Sequence, residues 1–342
     1  EKIKEDFLDY KGLGASILEI SHRHKIFGDI LDSTKSIFRE LTKLPKNYKI
    51  IFMHGGAQMQ FSAVPLNLMS RNGNIGSYFI TGRWGKLAEE EARRYGNTEI
   101  LLDGKIYDYR RIPEFKNIIT QKRSSYAHIT TNNTLYGTQW NTFPNTGDVP
   151  LVADATSDIL SRVMDYSNFG IVYAGLQKNL GISGIAIVII REDLIGGASL
   201  NTPKLLNYEV IYKENSLPNT INVFAIYVMK LVIEWIKKQG GVEKMQFLAK
   251  TKSEILYDAL ENSNFYNLIA YPKHRSEMNV TFNLKNKKIL NKFLYDSEKE
   301  GFFGLKGHHL VGGVRASIYN AMPVEGVKEL SFFLKEFEKK NG

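Results

Sequence analysis

Cysteine is absent from this chain of 342 residues. Its absence excludes disulfide bonds, thiolate zinc sites, iron–sulfur clusters and any cysteine nucleophile. Proline is scarce, with 9 residues, and neither proline nor the 28 glycines are concentrated in one linker. No repeat or low-complexity tract appears, and the hydrophobic (43%) and charged (24%) shares are those of a globular protein. Wholesale disorder is therefore excluded.

Long apolar runs are missing as well. The longest, GISGIAIVII at 181–190, is far shorter than the roughly 20 residues that a membrane-spanning helix needs. The first residues, EKIKEDFLDYKG, are charged and contain no apolar segment of a signal peptide. We expect a soluble, cytoplasmic protein with no membrane partner.

Acidic residues are fewer than basic ones, with 36 Asp and Glu against 45 Lys and Arg, a formal net charge of +9. The excess favours anionic partners. A nucleic-acid-binding surface would cluster these cations with aromatic residues. Here they are spread along the chain and offset by acids, as in EEEARR and EKEG. We therefore expect small anionic substrates and no nucleic acid.

Strands and helices alternate along most of the chain, which predicts an α/β fold. Apolar residues without polar alternation predict buried strands at 48–54, 150–156, 169–175 and 184–190. Helical spacing of apolar residues predicts helices at 2–11, 28–43, 86–95, 220–239 and 242–262.

The last part of the chain reads strand, helix, strand, helix, which predicts a smaller α+β domain. We predict a large domain over 15–255 with a mostly parallel, mixed sheet flanked by helices. The small domain is predicted to combine 1–14 with 256–342.

Two residues have a pattern that suits pyridoxal 5′-phosphate (PLP). Lys178 directly follows one apolar strand, and Asp154 ends another. A desolvated lysine can form an imine with the PLP aldehyde, and a carboxylate can keep the pyridine nitrogen protonated. The plain alternatives are a lysine with its ammonium in water and an aspartate that caps residues 156–160.

Two further motifs suit the binding of an organic phosphate. HGGAQMQF at 54–61 has two glycines between a strand and a helix, where backbone N–H groups bind anions. Trp84 precedes a helix and offers a ring face for stacking. A simple turn and a core tryptophan are the plain alternatives.

Basic residues form two short clusters that could bind a small dianion. A solvated surface is the plain alternative, and metal binding is not expected, because no HExxH spacing exists and no carboxylate lies near the second cluster. The clusters contain His22, Arg23 and His24, and Lys306, His308, His309 and Arg315.

Taken in order, these motifs resemble those of the phosphoserine aminotransferases, PLP-dependent class-V enzymes of the aspartate-aminotransferase fold type (fold type I). The resemblance extends from about Gly12 to the C-terminus. Its most specific motifs are AGLQKNLG at 174–181 and RASIYNAMPVEGV at 315–327, and others are GGAQMQF, ADATSDILSR and KGHHLVGG.

The resemblance implies roles around the cofactor. Lys178 would form the imine and move a proton between the substrate Cα and the cofactor C4′, while Asp154 would pair with the pyridine nitrogen. Trp84 would stack on the ring, and Thr134 would hydrogen-bond its hydroxyl. The cofactor phosphate would be bound by the backbone of Ala57 and Gln58, by Gln177, and by Asn219 and Thr220 from the partner in a homodimer with shared active sites.

The implied reaction is ping-pong transfer of the amino group from glutamate to 3-phosphohydroxypyruvate, which yields O-phosphoserine and 2-oxoglutarate. It would serve serine biosynthesis, and 4-phosphohydroxythreonine formation in pyridoxine biosynthesis is a further expectation. The substrate carboxylate and phosphate would be bound by His22, Arg23, His308, His309 and Arg315.

The sequence departs from the family pattern at several points. KGHR reads KGHH, so His309 replaces an arginine, which leaves open a related PLP aminotransferase with altered substrate choice. Asn133 replaces an acid, and Gln58 stands where Ser or Arg is common. The opening segment with Phe-Ser-x-Gly-Pro is not in these 342 residues. A cysteine desulfurase of the same fold is excluded by the lack of cysteine.

Overall fold

The computed structural model describes residues 1–115 and 123–342. In these residues the helices are α1 Lys2–Leu8, α2 Lys25–Thr42, α3 Gly56–Leu68, α4 Arg83–Ala92, α5 Tyr208–Lys213, α6 Val223–Lys238, α7 Gly241–Glu261, α8 Leu290–Lys299 and α9 Val324–Asn341. The strands are β1 Tyr48–His54, β2 Ile75–Ile80, β3 Asn97–Asp103, β4 Ser124–Thr130, β5 Asn132–Asn133, β6 Thr138–Gln139, β7 Leu151–Asp154, β8 Ile171–Gly175, β9 Ile185–Arg191, β10 Tyr266–Leu268, β11 Asn279–Leu284 and β12 Val314–Ser317.

The main sheet has seven strands in the order β1-β9-β8-β7-β4-β2-β3. Only β9 runs against its neighbours, and the other described pairs are parallel. The predicted α/β fold with a mostly parallel, mixed sheet is therefore confirmed. The predicted strands β1, β7, β8 and β9 are present within one or two residues of the expected bounds.

The sheet is buried on both faces because successive residues of its central strands face opposite layers. On one face Ala153 joins a core with Phe27 of α2 and Ile226 of α6. On the other face Val152 joins a core with Phe61 of α3. Two helical layers thus enclose a sheet whose central strands consist of buried residues.

The second sheet is small and antiparallel, in the order β10-β11-β12. Helices α8 and α9 and the end of α7 cover it, with Phe282 and Phe293 in its core. Along α7 the packing changes, because Met245 belongs to the core of the main sheet and Leu256 to that of the small sheet. The predicted division of the chain into domains stays a prediction.

The first residues contact α6. The Tyr227 hydroxyl donates a hydrogen bond to Asp6, and the rings of Phe7 and Phe224 meet edge to face at 5.7 Å. In the described parts of the chain, no helix is both long and apolar enough to cross a membrane.

Strand topology brings functional positions to one edge of the main sheet. The carboxyl ends of β4, β7 and β8 lie together because these strands are parallel. β1 also ends there, since both it and β8 pair antiparallel with β9, where Ile185 and Ala186 lie opposite His54 and Gly175. Open α/β sheets bind ligands at this edge.

A buried lysine holds the chain that follows β12. Lys252 of α7 is 1% exposed. Its Nζ donates to the carbonyls of Ile318, Tyr319 and Met322 at 3.0, 2.7 and 3.0 Å. One buried and two partly buried carbonyls therefore depend on one ammonium group.

We predict that Lys252→Met lowers the free energy of unfolding by about 3 kcal/mol, because one buried and two partly buried carbonyls lose their donor. Lys250→Met is the matched control, since Lys250 lies on the same helix, exposed, 3.8 Å from Glu254. It should change stability by less than about 0.5 kcal/mol. Urea denaturation measures both, and equal losses would contradict the assignment.

Candidate active site

A cavity of about 290 Å³ opens at the carboxyl edge of the main sheet. It is bounded by the start of α3, by Trp84, and by residues at or just beyond the ends of β4, β7 and β8, among them Asp154 and Lys178. A larger open cleft of about 680 Å³ contains Leu310 and Arg110, but Arg110 already donates to the Ile269 carbonyl at 2.8 Å. The smaller cavity contains the groups with reactive chemistry.

Asp154 is the last residue of β7 and is almost fully buried. Its Oδ1 accepts a hydrogen bond from the Thr156 N–H at 3.0 Å. Burial raises the pKa of Asp154, while the Thr156 hydrogen bonds and the Lys178 charge oppose the rise. The carboxylate is thus a desolvated negative charge facing the cavity.

Lys178 lies in the turn after β8 and is half-buried. Desolvation lowers its pKa, the Asp154 charge opposes this, and the nearby Arg315 charge lowers it further. Within residues 1–115 and 123–342 its Nζ has no hydrogen-bond acceptor. A lysine in this state provides a neutral amine more readily than one in water.

The start of α3 forms an anion cradle. Gly55 and Gly56 have φ of +85° and +63°, a left-handed conformation that glycine adopts without strain. The first N–H groups of the helix, including those of Ala57 and Gln58, have no acceptor within the helix. Gly175 leaves them room, because a Cβ there would lie 3.3 Å from Ala57 N and 2.5 Å from Gln177 Oε1.

Trp84 and Thr134 are linked. Trp84 lines the cavity, and its Nε1 donates to the Thr134 Oγ1 at 3.3 Å. Thr134 is buried beside the cavity rather than in its lining. Asn133, which replaces the acid of the family pattern, donates hydrogen bonds to the hydroxyls of Thr81 at 3.1 Å and Thr138 at 3.2 Å. Its side chain therefore stabilises the loop.

The predicted substrate residues lie outside the cavity lining. Arg315, on β12, has a buried Nε without a hydrogen-bond partner in the described chain, and the ring centres of His308 and His309 lie 4.1 Å apart. His22, whose buried Nε2 likewise has no partner there, and exposed Arg23 lie just before α2.

Asn219 and Thr220 also lie outside the lining. The Thr220 carbonyl is 3.0 Å from Nε2 of His54, the residue before the Gly55–Gly56 turn. Thr220 is exposed. Thr220 is therefore on the surface near the start of α3, Asn219 is half-buried, and neither lines the cavity of its own chain.

Residues of this region that were not predicted from the sequence include Thr130, Asn132 and Arg83. Thr130 lines the cavity with a buried hydroxyl that has no partner in the described chain, and Asn132 lines it too. Thr130 is the last residue of β4 and Asn132 lies just beyond it, and the pattern did not predict this strand. The third is Arg83, whose charge contributes to lowering the His308 pKa.

The comparisons with known proteins agree with this geometry. A family model described as "Aminotransferase class-V" matches residues 1–330. The fold and the site thus define an aminotransferase of class V, and the chain belongs to that family.

Comparison with individual relatives identifies the family within class V. The chain is 45% identical to a phosphoserine aminotransferase of Bacillus cereus over 341 residues, which cover 100% of this chain and 94% of the relative. A solved phosphoserine aminotransferase from Bacillus circulans subsp. alkalophilus matches with a TM-score of 0.97 at 40% identity, over 100% and 94% of the two chains. A PLP-bound one from Trichomonas vaginalis has a TM-score of 0.93 at 30% identity, over 98% and 95%. Within class V, the chain belongs to the phosphoserine aminotransferase family.

We predict that Asp154→Asn stabilises the cofactor-free protein at pH 8. Because its pKa is raised in the folded state, ionised Asp154 costs stability above that pKa, and the cost disappears as the pH falls below the ordinary value for aspartate. Asparagine keeps the acceptor for Thr156 without the charge. The melting temperature should rise at pH 8 and the rise should shrink on acidification.

Asp148→Asn is the control, because Asp148 is exposed before β7. It should leave the melting temperature close to that of the wild type across the same pH range. A lower melting temperature for Asp154→Asn at pH 8 would show that the buried charge is compensated in the cofactor-free protein.

Proposed function

We propose that this protein catalyses the phosphoserine aminotransferase reaction with PLP as its cofactor. The amino group moves from glutamate to 3-phosphohydroxypyruvate, and O-phosphoserine and 2-oxoglutarate are formed in two half-reactions. The observation that carries the proposal is the pairing of buried Asp154 with Lys178 beside the anion cradle of α3. Family membership agrees with it.

The residues of the cavity fit the cofactor. PLP, when bound, supplies an aldehyde that condenses with amines and a pyridine ring that accepts electrons. Lys178 provides the amine for the aldehyde. The backbone N–H groups of Ala57 and Gln58, with Gln177 nearby, bind the phosphate.

Asp154 has the role of holding a proton on the pyridine nitrogen. A buried carboxylate attracts that proton strongly because burial leaves its charge weakly screened. Thr156 keeps the carboxylate oriented, and the Thr156 hydroxyl accepts a hydrogen bond from the Gly175 N–H at 3.2 Å. The carboxylate position is thus fixed by both strand ends, β7 and β8.

Trp84 and Thr134 complete the ring site. Trp84 offers its face to the ring from the start of α4, and Thr134 hydrogen-bonds the ring hydroxyl. The 3.3 Å hydrogen bond between their side chains supports this pairing, since it holds both on the same side of the cavity.

Lys178 has a second role in proton transfer. Its lowered pKa favours the neutral amine, which can take a proton from the substrate Cα and return it. Arg315, His308 and His309 bind the substrate anions from the small sheet and the loop before it. Arginine suits this because its planar fork binds carboxylate or phosphate through two hydrogen bonds.

We further propose a homodimer with shared active sites. Asn219 and Thr220 of the partner subunit would then reach the cofactor phosphate, and His22 and Arg23 would add to substrate binding. The exposure of Thr220 and Arg23 and the absence of these residues from their own chain's cavity lining support this arrangement. The reaction serves serine biosynthesis, and we propose the cytoplasm as its location. Action on 4-phosphohydroxythreonine in pyridoxine biosynthesis stays a prediction.

Lys178→Ala should lower kcat by about a thousandfold or more, because one lysine serves both as the amine and as the proton carrier. The assay follows 2-oxoglutarate formed from glutamate and 3-phosphohydroxypyruvate. Lys292→Ala is the control, since Lys292 lies on α8 and pairs with Asp296 at 2.5 Å. It should retain wild-type activity.

The same assay tests the alternative, a related aminotransferase with altered substrate choice. The replacement of the family's arginine by His309 leaves that alternative open. A higher kcat/KM for 3-phosphohydroxypyruvate than for pyruvate or oxaloacetate is the expected result. A preference for an unphosphorylated oxo acid would refute the proposed substrate while leaving the transaminase chemistry in place.

A further inference from the structure

Arg83 lies beside the active-site cavity, on the side that we call its entrance. It is the first residue of α4, it is half-buried, and it directly precedes Trp84 of the cavity lining. The helix start is pressed against the loop at 132–134, since a Cβ at Gly82 would lie 2.5 Å from Asn133 Oδ1. The position of Arg83 is therefore set by the same contact that sets Trp84.

The guanidinium of Arg83 has no hydrogen bond and no ion pair within the described ranges, 1–115 and 123–342. Two other arginines at the end of the same helix are partnered: Arg93 contacts Glu89 at 2.6 Å and Arg94 contacts Glu91 at 3.0 Å. A permanent cation left without a counter-ion beside a cavity is available to an anionic ligand.

Other basic groups lie near Arg83. His308 has a lowered pKa, caused first by desolvation and then by the charges of His309, Arg315 and Arg83. None of these neighbours is a carboxylate. Two of these neighbours, Arg83 and Arg315, are arginines, whose positive charge is permanent.

We propose that Arg83 is a specificity-determining residue that binds the phosphate group of the substrate together with the His308–His309 pair. The inference rests on the proposed function and names a residue of that same site. A substrate with both a carboxylate and a phosphate requires two separated cations, and Arg315 and Arg83 supply them from the small sheet and from α4. Arg83 thereby provides a guanidinium near the entrance, where position 309 has only an imidazole.

The test compares a phosphorylated with an unphosphorylated substrate in the PLP-loaded enzyme. Arg83→Gln should raise KM for 3-phosphohydroxypyruvate by about tenfold or more, the loss of one charge-assisted hydrogen bond. It should leave kcat within about twofold and kcat/KM for hydroxypyruvate nearly unchanged, because hydroxypyruvate has no phosphate.

Lys86→Gln is the matched control. Lys86 lies on the same helix and is exposed, 3.6 Å from Glu90. Its loss removes the same charge without touching the entrance, so KM for 3-phosphohydroxypyruvate should stay within about twofold of the wild type. An equal rise in KM in both variants would overturn the proposal, because any positive charge on α4 would then have the same effect.

A rescue experiment separates phosphate binding from a merely structural role, such as packing of Arg83 near Tyr136. Adding His309→Arg to Arg83→Gln should lower KM for 3-phosphohydroxypyruvate again, because a guanidinium returns to the entrance. The inhibition constant of inorganic phosphate should follow the same order across the three proteins. Absence of rescue, or equal losses with hydroxypyruvate, would overturn the proposal.

Different results would refute the role of Arg83 and the proposed function. A wild-type enzyme that does not use 3-phosphohydroxypyruvate would refute the proposed function. An active wild type whose Arg83→Gln variant has an unchanged KM for that substrate would refute only the role of Arg83.

Discussion

The desolvation of Asp154 and Lys178 is the constraint on which the rest of the site depends. Both groups lie beside the same cavity at the carboxyl edge of the main sheet, where burial raises the pKa of the acid and lowers that of the amine. Each charge partly compensates the other's burial. Such a pair is costly in the cofactor-free protein, and a bound cofactor that takes up both groups would offset the cost.

The sheet makes this juxtaposition possible. β7 and β8 are parallel neighbours, so the residues after them meet, and the antiparallel strand β9 returns the chain so that β1 ends at the same edge. The reactive pair and the anion cradle of α3 therefore belong to one edge of the main sheet. The proposed substrate cations His308, His309 and Arg315 belong to the small sheet and its preceding loop, so the cofactor and substrate sites rest on different parts of the fold.

The sequence pattern identified the elements whose signal is local. Strands β7, β8 and β9 are runs of apolar residues, and Lys178 and Asp154 stand at their ends. The pattern missed β4, because SSYAHIT is rich in polar groups whose partners are distant in sequence: His128 meets the Tyr173 hydroxyl at 2.9 Å, and Ser125 donates to the Met69 carbonyl at 3.0 Å. Thr130 and Asn132 were missed with that strand. Arg83 was missed because its neighbours come from the loop and strand near residues 308–315.

The most direct test of the central claim is a crystal structure of the protein with PLP bound. The account predicts an Asp154 carboxylate oxygen within about 3.2 Å of the pyridine nitrogen. It also predicts the Lys178 Nζ at the aldehyde carbon and the phosphate on the N–H groups of Ala57 and Gln58. A ring bound in another orientation, or an aldehyde held by a different lysine, would contradict the account.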